Sequence, residues 1–170
     1  MIFNLFRKTT APIAVEDAYR SIVAQSRQVR FYADWGVADT VTGRFDMVSL
    51  HLAMLLRRLK GESAARDFAQ ALVDLFFLDM DRSVRELGVT DLGVPKKVKT
   101  MGNVFYGLAA ALGTALDSGN ADDVEAVLVK NVYGEANPGV APLAAYLLAE
   151  SARLAAIPVA ELIRSTGVAA

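Results

Sequence analysis

The 170-residue chain has no cysteine. That single absence removes disulfide frameworks, thiolate metal clusters, thiol nucleophiles and CxxCH haem attachment. Histidine is nearly as scarce: His51 is the only one, and neither a neighbouring serine-plus-acid arrangement nor an HExxH motif completes a mechanism around it. Neither sign of charge is in excess, with 18 Lys and Arg against 19 Asp and Glu and a formal net charge of -1. A nucleic-acid or membrane-surface role spread over the whole chain is therefore disfavoured, while local basic patches remain open. The N-terminal MIFNLFRKTTAP has too short an apolar part for a transmembrane span. Its basic residues follow that part, where a secretory signal would place them first. Phe3 and Phe6 are expected to pack locally; the other reading is a small amphipathic foot on a membrane or partner. Internal repeats and alternating strand patterns are also missing.

What is present is helical. The hydrophobic fraction of 54% and mean hydropathy of +0.31 describe a globular chain with apolar area to spare for a partner. Periodicity predicts a first helix from Val15 to Trp35, with Ile22, Val23, Val29 and Phe31 facing the core. A loop GVADTVTGR follows, then a second helix from Arg44 to Lys60 closed by Gly61. The third is expected over 62–87, with Leu72, Phe76, Met80, Val84 and Leu87 on one stripe. Pro95 opens a fourth that reaches Asp117. Asn120 caps a short fifth helix, Pro142 opens a sixth, and Pro158 starts a last one ended by Gly167. The expected architecture is all-α: a short N-terminal segment, 1–12, followed by one compact domain of about six or seven helices over 13–170.

The second helix, GRFDMVSLHLAMLLRRLK, carries more apolar residues than one core stripe needs. Phe45, Val48, Leu52, Leu55, Leu56 and Leu59 already form such a stripe, which leaves Met47, Leu50, His51 and Met54 on a second face. That face is either packed on a second side or a docking surface, for which flexible, polarisable methionine suits loosely specified apolar clients. His51 is expected to be buried and satisfied by a neighbour. Lys96, Lys97 and Lys99 crowd the first turn of the fourth helix, the end where the dipole disfavours cations. They form either a solvated face offset by acids or a contact for an acidic or phosphate partner. On the same helix Val98, Met101 and Phe105 are expected to be buried, and Gly102 and Gly107 allow close contact or bending. In DMDRSVRE, Asp79 and Asp81 are two residues apart and cannot chelate one ion together. Asp81 and Arg85 are spaced for an i,i+4 pair, and Asp79 is free to reach a basic group on a neighbouring helix.

Taken together, FYADWGVADTVTGRFDMVSLHLAMLLRRL (31–59) and LFFLDMDRSVRELGVTDLGVPKKVKTMGNVFYG (75–107) resemble the ubiquinol–cytochrome c chaperone family. These are bacterial relatives of a mitochondrial assembly factor for the cytochrome bc1 complex. The resemblance is dense from Tyr19 to Tyr106, and the FDMVSLH, LDMD, RELGV and KKVK elements are specific in their order. It implies an all-α, non-enzymatic assembly factor without cofactors or metal that binds newly made cytochrome b, with the ribosome or a small co-chaperone as further partners. It also implies a bacterial, cytoplasmic protein with at most peripheral membrane contact at the inner face. On the matching positions, the implied client surface is Phe45, Met47, Leu50, His51, Met54, Arg57 and Arg58, then Asp79, Met80 and Arg82, then Lys96, Lys97, Lys99, Met101 and Tyr106. Two alternatives are a helix-turn-helix-like nucleic-acid module over RELGVTDLGVPKKVKTM and a helical haem or quinone binder using His51.

Overall fold

The computed structural model describes residues 7–164, with side chains described from Ala14 onward. The Phe3 and Phe6 contacts and the stop at Gly167 fall outside that range. Among the described residues eight α-helices follow one another: α1 (Arg7–Ser26), α2 (Val29–Ala33), α3 (Val41–Leu59), α4 (Arg66–Glu86), α5 (Val94–Ser118), α6 (Ala121–Leu128), α7 (Val140–Ala156) and α8 (Val159–Leu162). The all-α expectation holds, with six longer helices and two that are little more than one turn. No described helix is long and apolar enough to cross a membrane.

α3 is the centre. It packs against α1, α4, α5 and α7, and twelve of its nineteen residues are buried. Around it α4 packs on α1 and α5, and α6 bridges α5 to α7. Helix starts and stops follow local chemistry. The Thr40 hydroxyl accepts from the Gly43 amide at 3.1 Å and starts α3 three residues before the expected Arg44. Gly61 at φ 87° lets the chain leave α3's end. Asn120 accepts from the Asp122 amide at 3.0 Å and caps α6 as expected.

The expected helix 15–35 is two helices. Gln28 is extended at ψ 131°, and the Tyr32 hydroxyl donates to the Ser26 carbonyl at 2.8 Å across the break. The break turns Phe31 inward, where it is fully buried against Trp35 and Tyr146. It also resets the helical phase, so Val29, expected inside, is 76% exposed. Leu87 is likewise outside at 55% exposure, because α4 ends at Glu86 and Leu87 serves as its cap.

The loop between α2 and α3 docks on the one between α6 and α7. Tyr133 donates to the Trp35 carbonyl at 2.8 Å. Gly139 lies against that same carbonyl so closely that an added Cβ would overlap it. Gly102 has a comparable role between α4 and α5, where a Cβ would meet the Phe77 ring at 2.8 Å; Gly107 faces open space.

Candidate functional site

The second face of α3 is core. Met47 and Leu50 are fully buried, and Met54 and His51 are 2% and 3% exposed. The expectation that these four form part of an exposed receiving surface is corrected here. The physical reason is that α3 has neighbours on every side, so a second apolar face finds a helix, α7, before it finds solvent. Met80, expected on the same surface, is also buried, at 3% exposure.

His51 illustrates the point. Its Nδ1 lies 2.7 Å from the Met47 carbonyl, which can only accept, so Nδ1 carries the proton. Nε2 then accepts from the Tyr146 hydroxyl at 2.8 Å. Burial pushes the imidazole pKa down, so the ring is neutral. With both nitrogens engaged, His51 has no lone pair free for haem iron, and the haem-ligand alternative loses its residue. Beside it Arg30 stacks over Phe31, Trp35 and Tyr146 with its guanidinium carbon 5.0–5.3 Å from each ring. The nearby Glu150 carboxylate is gripped by Arg153 at 2.7 and 2.8 Å.

The remaining candidates separate into three places. Phe45, Asp79, Met80 and Met101 meet in one pocket of about 400 Å³ where α1, α3, α4 and α5 converge. Phe45 stacks on Phe76 with ring centroids 5.6 Å apart, and Phe76 in turn packs on Phe105 at 4.7 Å. Tyr19, Arg27, Val41 and Leu87 complete the wall, and Val41 and Leu87 leave an apolar lip exposed to solvent. Asp79, which the spacing left free to reach a basic group on a neighbouring helix, accepts a 2.9 Å hydrogen bond from the Tyr19 hydroxyl of α1. Burial, then the neighbouring Asp79 charge, drive the Tyr19 pKa far above the usual phenol range, so the hydroxyl stays a donor. Tyr19→Phe leaves a half-buried carboxylate without its donor and is expected to lower stability by about 1.5 kcal/mol, checked by urea denaturation. An unchanged midpoint would remove Tyr19–Asp79 as the clamp between α1 and α4.

Arg57 and Arg58 lie at the far end of α3, about 18 Å along the axis from Phe45 at 1.5 Å per residue. Arg57 pairs with Asp117 of α5 and donates to Ser151 of α7 at 3.2 Å. Arg58 donates to the carbonyls of Leu154 and Ile157 at 3.1 and 2.9 Å, capping the end of α7. Both border a groove of about 990 Å³ floored by small residues such as Ala69, Ala109 and Gly113, but their guanidiniums first serve to tie three helices together.

The third place is the outer side of α4 and α5. Arg82, Lys96, Lys97 and Lys99 are exposed there. Tyr106, 55% exposed, packs beside Phe77 at 6.1 Å between ring centroids. Arg85 pairs with Asp81 as the spacing predicts, and with Asp91 as well, both at 2.7 Å. Against the nucleic-acid alternative, α5 is no protruding recognition helix: its 25 residues are packed on α3, α4 and α6.

Sequence reasoning missed Tyr19, Arg27, Val41 and the exposed position of Leu87. Tyr19 sits four positions after Val15 on the stripe of α1, a spacing that signals an inward-facing residue. Nothing in the spacing shows that its hydroxyl meets Asp79, sixty residues away.

A sequence profile described as ubiquinol-cytochrome C chaperone matches residues 33–169. Among solved structures, the Cbp3 homolog from Brucella abortus superposes with a TM-score of 0.90 at 41% identity, over 98% of this chain and 94% of that one. No curated protein sequence matches. The profile takes in α3 to α8 entire, including the pocket walls contributed by α3, α4 and α5, and on that extent of agreement the chain belongs to the ubiquinol–cytochrome c chaperone family.

Proposed function

We propose that the protein is a non-enzymatic assembly factor for the ubiquinol–cytochrome c reductase complex that receives newly made cytochrome b on the cytoplasmic side of the membrane. The observation that carries this reading is the family match over residues 33–169. The client surface we assign is the α1/α3/α4/α5 pocket and its lip, rather than the second face of α3. Its chemistry suits a transient receiver. Met80 and Met101 line it with Phe45 and Phe76, and thioether and aromatic walls adapt to apolar helices of varied sequence. Val41 and Leu87 extend the apolar area outward, and Lys97 lies one turn before Met101 on the same face of α5. A pocket of about 400 Å³ accepts one or two side chains rather than a whole helix, which keeps affinity modest and release possible.

Two measurements test this. Deleting the gene is expected to lower assembled bc1 complex and cytochrome b while unrelated oxidases stay intact; normal bc1 levels in the deletion strain would sink the reading. A photocrosslinking residue at Leu87 or Lys97 during cytochrome b synthesis is expected to capture the nascent chain. The same group at the buried Met54 is expected to capture nothing. Capture at the basic end of α3 and not at Leu87 would move the client to the larger groove.

A further inference from the structure

The apex of the turn joining α4 to α5 lies outside the client pocket. Thr90 accepts from the amides of Gly93 and Val94 at 2.7 and 3.1 Å, which closes residues 90–94 into a tight turn. Val94 is fully buried below it, and a Cβ on Gly93 would meet the Val89 side chain at 3.0 Å, so the turn is packed and anchored. At its apex Leu92 is 95% exposed, with Leu87 at 55% on the approach. Leu92 borders none of the grooves described above. It is a convex apolar tip on a rigid support.

Directly after it come Lys96, Lys97 and Lys99, all exposed and without an ion pair among the described residues. The one acid on the turn, Asp91, is held by Arg85. Residues 81–99 hold five cations against three acids, a local excess of positive charge in a chain whose net charge is -1. A single exposed leucine needs no explanation. A leucine at the apex of an anchored turn, beside three unpaired lysines at the helix end that disfavours them, is a different case. A protein partner would meet a tip with a hollow; here the tip is convex, and a soft anionic phase accepts it without one.

We propose that residues 87–99 dock the protein on an anionic lipid bilayer. Leu92 and Leu87 enter the boundary between headgroups and acyl chains, and Lys96, Lys97 and Lys99 meet lipid phosphates. The contact is weak and salt-sensitive, because it rests on two side chains and a few screened charges. It shares Leu87 and Lys97 with the proposed client lip, but vesicle binding is read without a client, so a deletion strain with normal bc1 levels would leave it standing.

Since the chain has no cysteine, Leu92→Cys gives one labelling site for an environment-sensitive dye. With vesicles of phosphatidylcholine and phosphatidylglycerol, the dye on the full chain is expected to shift to the blue, and the shift to fade as salt rises. Vesicles of phosphatidylcholine alone are expected to give little. Exchanging Lys96, Lys97 and Lys99 for Gln together is expected to weaken co-sedimentation on the order of a hundredfold, at about fivefold per lysine, and Leu92→Asp to weaken it about tenfold or more. Because all four positions are exposed, the melting temperature is expected to stay unchanged. Undiminished binding by both variants would overturn the proposal, as would a dye at position 92 that ignores anionic vesicles. A response to heparin or to an acidic peptide but not to vesicles would also overturn it, and would assign the patch to a macromolecular polyanion.

Discussion

Replacing Gly139 with alanine is expected to cost about 3 kcal/mol or more, a loss of roughly 6–12 °C in melting temperature for a domain of this size. Conformation is not the cause, because Gly139 has φ -77°, which any residue adopts. Space is the cause: the new Cβ would overlap the Trp35 carbonyl. That carbonyl cannot retreat freely, because it accepts the Tyr133 hydroxyl at 2.8 Å. Neither the backbone of the 34–40 loop nor that of the 134–139 loop can yield without losing the contact that joins them. Gly43→Ala is expected to fail in the same way against the Ala38 carbonyl. Gly107 supplies the contrast, since it lies inside α5 with nothing within 4 Å of a new Cβ. Alanine there is expected to stabilise by about 0.5–1 kcal/mol through helix propensity. Urea denaturation of the three variants is the check. If Gly139→Ala unfolded within about 0.5 kcal/mol of the parent, the docking of these two loops would not be a structural requirement.

Asp46 is expected to contribute a loss of stability as pH rises from about 4 to about 7, read as the difference between the parent and Asp46→Asn because the lowered His51 pKa acts in the opposite sense. The residue is 6% exposed on α3, and among the described residues no cation or hydrogen-bond donor pairs with its carboxyl. Burial alone raises its pKa to about 7. The folded state thus holds a proton that the unfolded chain, with an ordinary aspartate near 3.9, has already released. Across that interval the native state binds more protons than the unfolded one, so the free energy of unfolding declines with pH. Three units at about 1.4 kcal/mol each set an upper bound of about 4 kcal/mol on the loss. Asp46→Asn removes the charge and the slope. Its advantage over the parent is expected to grow from little at pH 4 to a melting temperature on the order of ten degrees higher at pH 8. Parallel melting-temperature curves for parent and variant between pH 4 and 8 would refute the assignment. Near the start of α3 the helix dipole favours the charged form of an aspartate slightly. Burial outweighs that small gain.

Much of the fold was legible because helix signals are local. Pro95 and Asn120 mark starts, Gly61 marks an end, and the stripe Leu72, Phe76, Met80 and Val84 is buried as its spacing requires. The errors arose where a non-local contact overrode a local pattern. The 15–35 helix breaks at Gln28, and the reset phase packs Phe31 on Trp35 and on Tyr146 of α7. The candidate site was read less well. The sequence supplied the side chains Phe45, Asp79, Met80 and Met101 but gave no sign that they share one pocket, nor that Arg57 and Arg58 are committed to holding α5 and α7.

The sequence by itself determined the class of the protein. Its helical periods, the absence of cysteine, the lone unassisted histidine and the ordered motifs from FDMVSLH to KKVK pointed to an all-α member of this family, because composition, period and motif order are properties of the chain read in one dimension. Only the tertiary structure decided which apolar face is inside. Met47, Leu50, His51 and Met54 have the same amphipathic spacing whether they meet water or α7. What selects between those fates is the number of helices packed around α3, and that depends on residues about a hundred positions away.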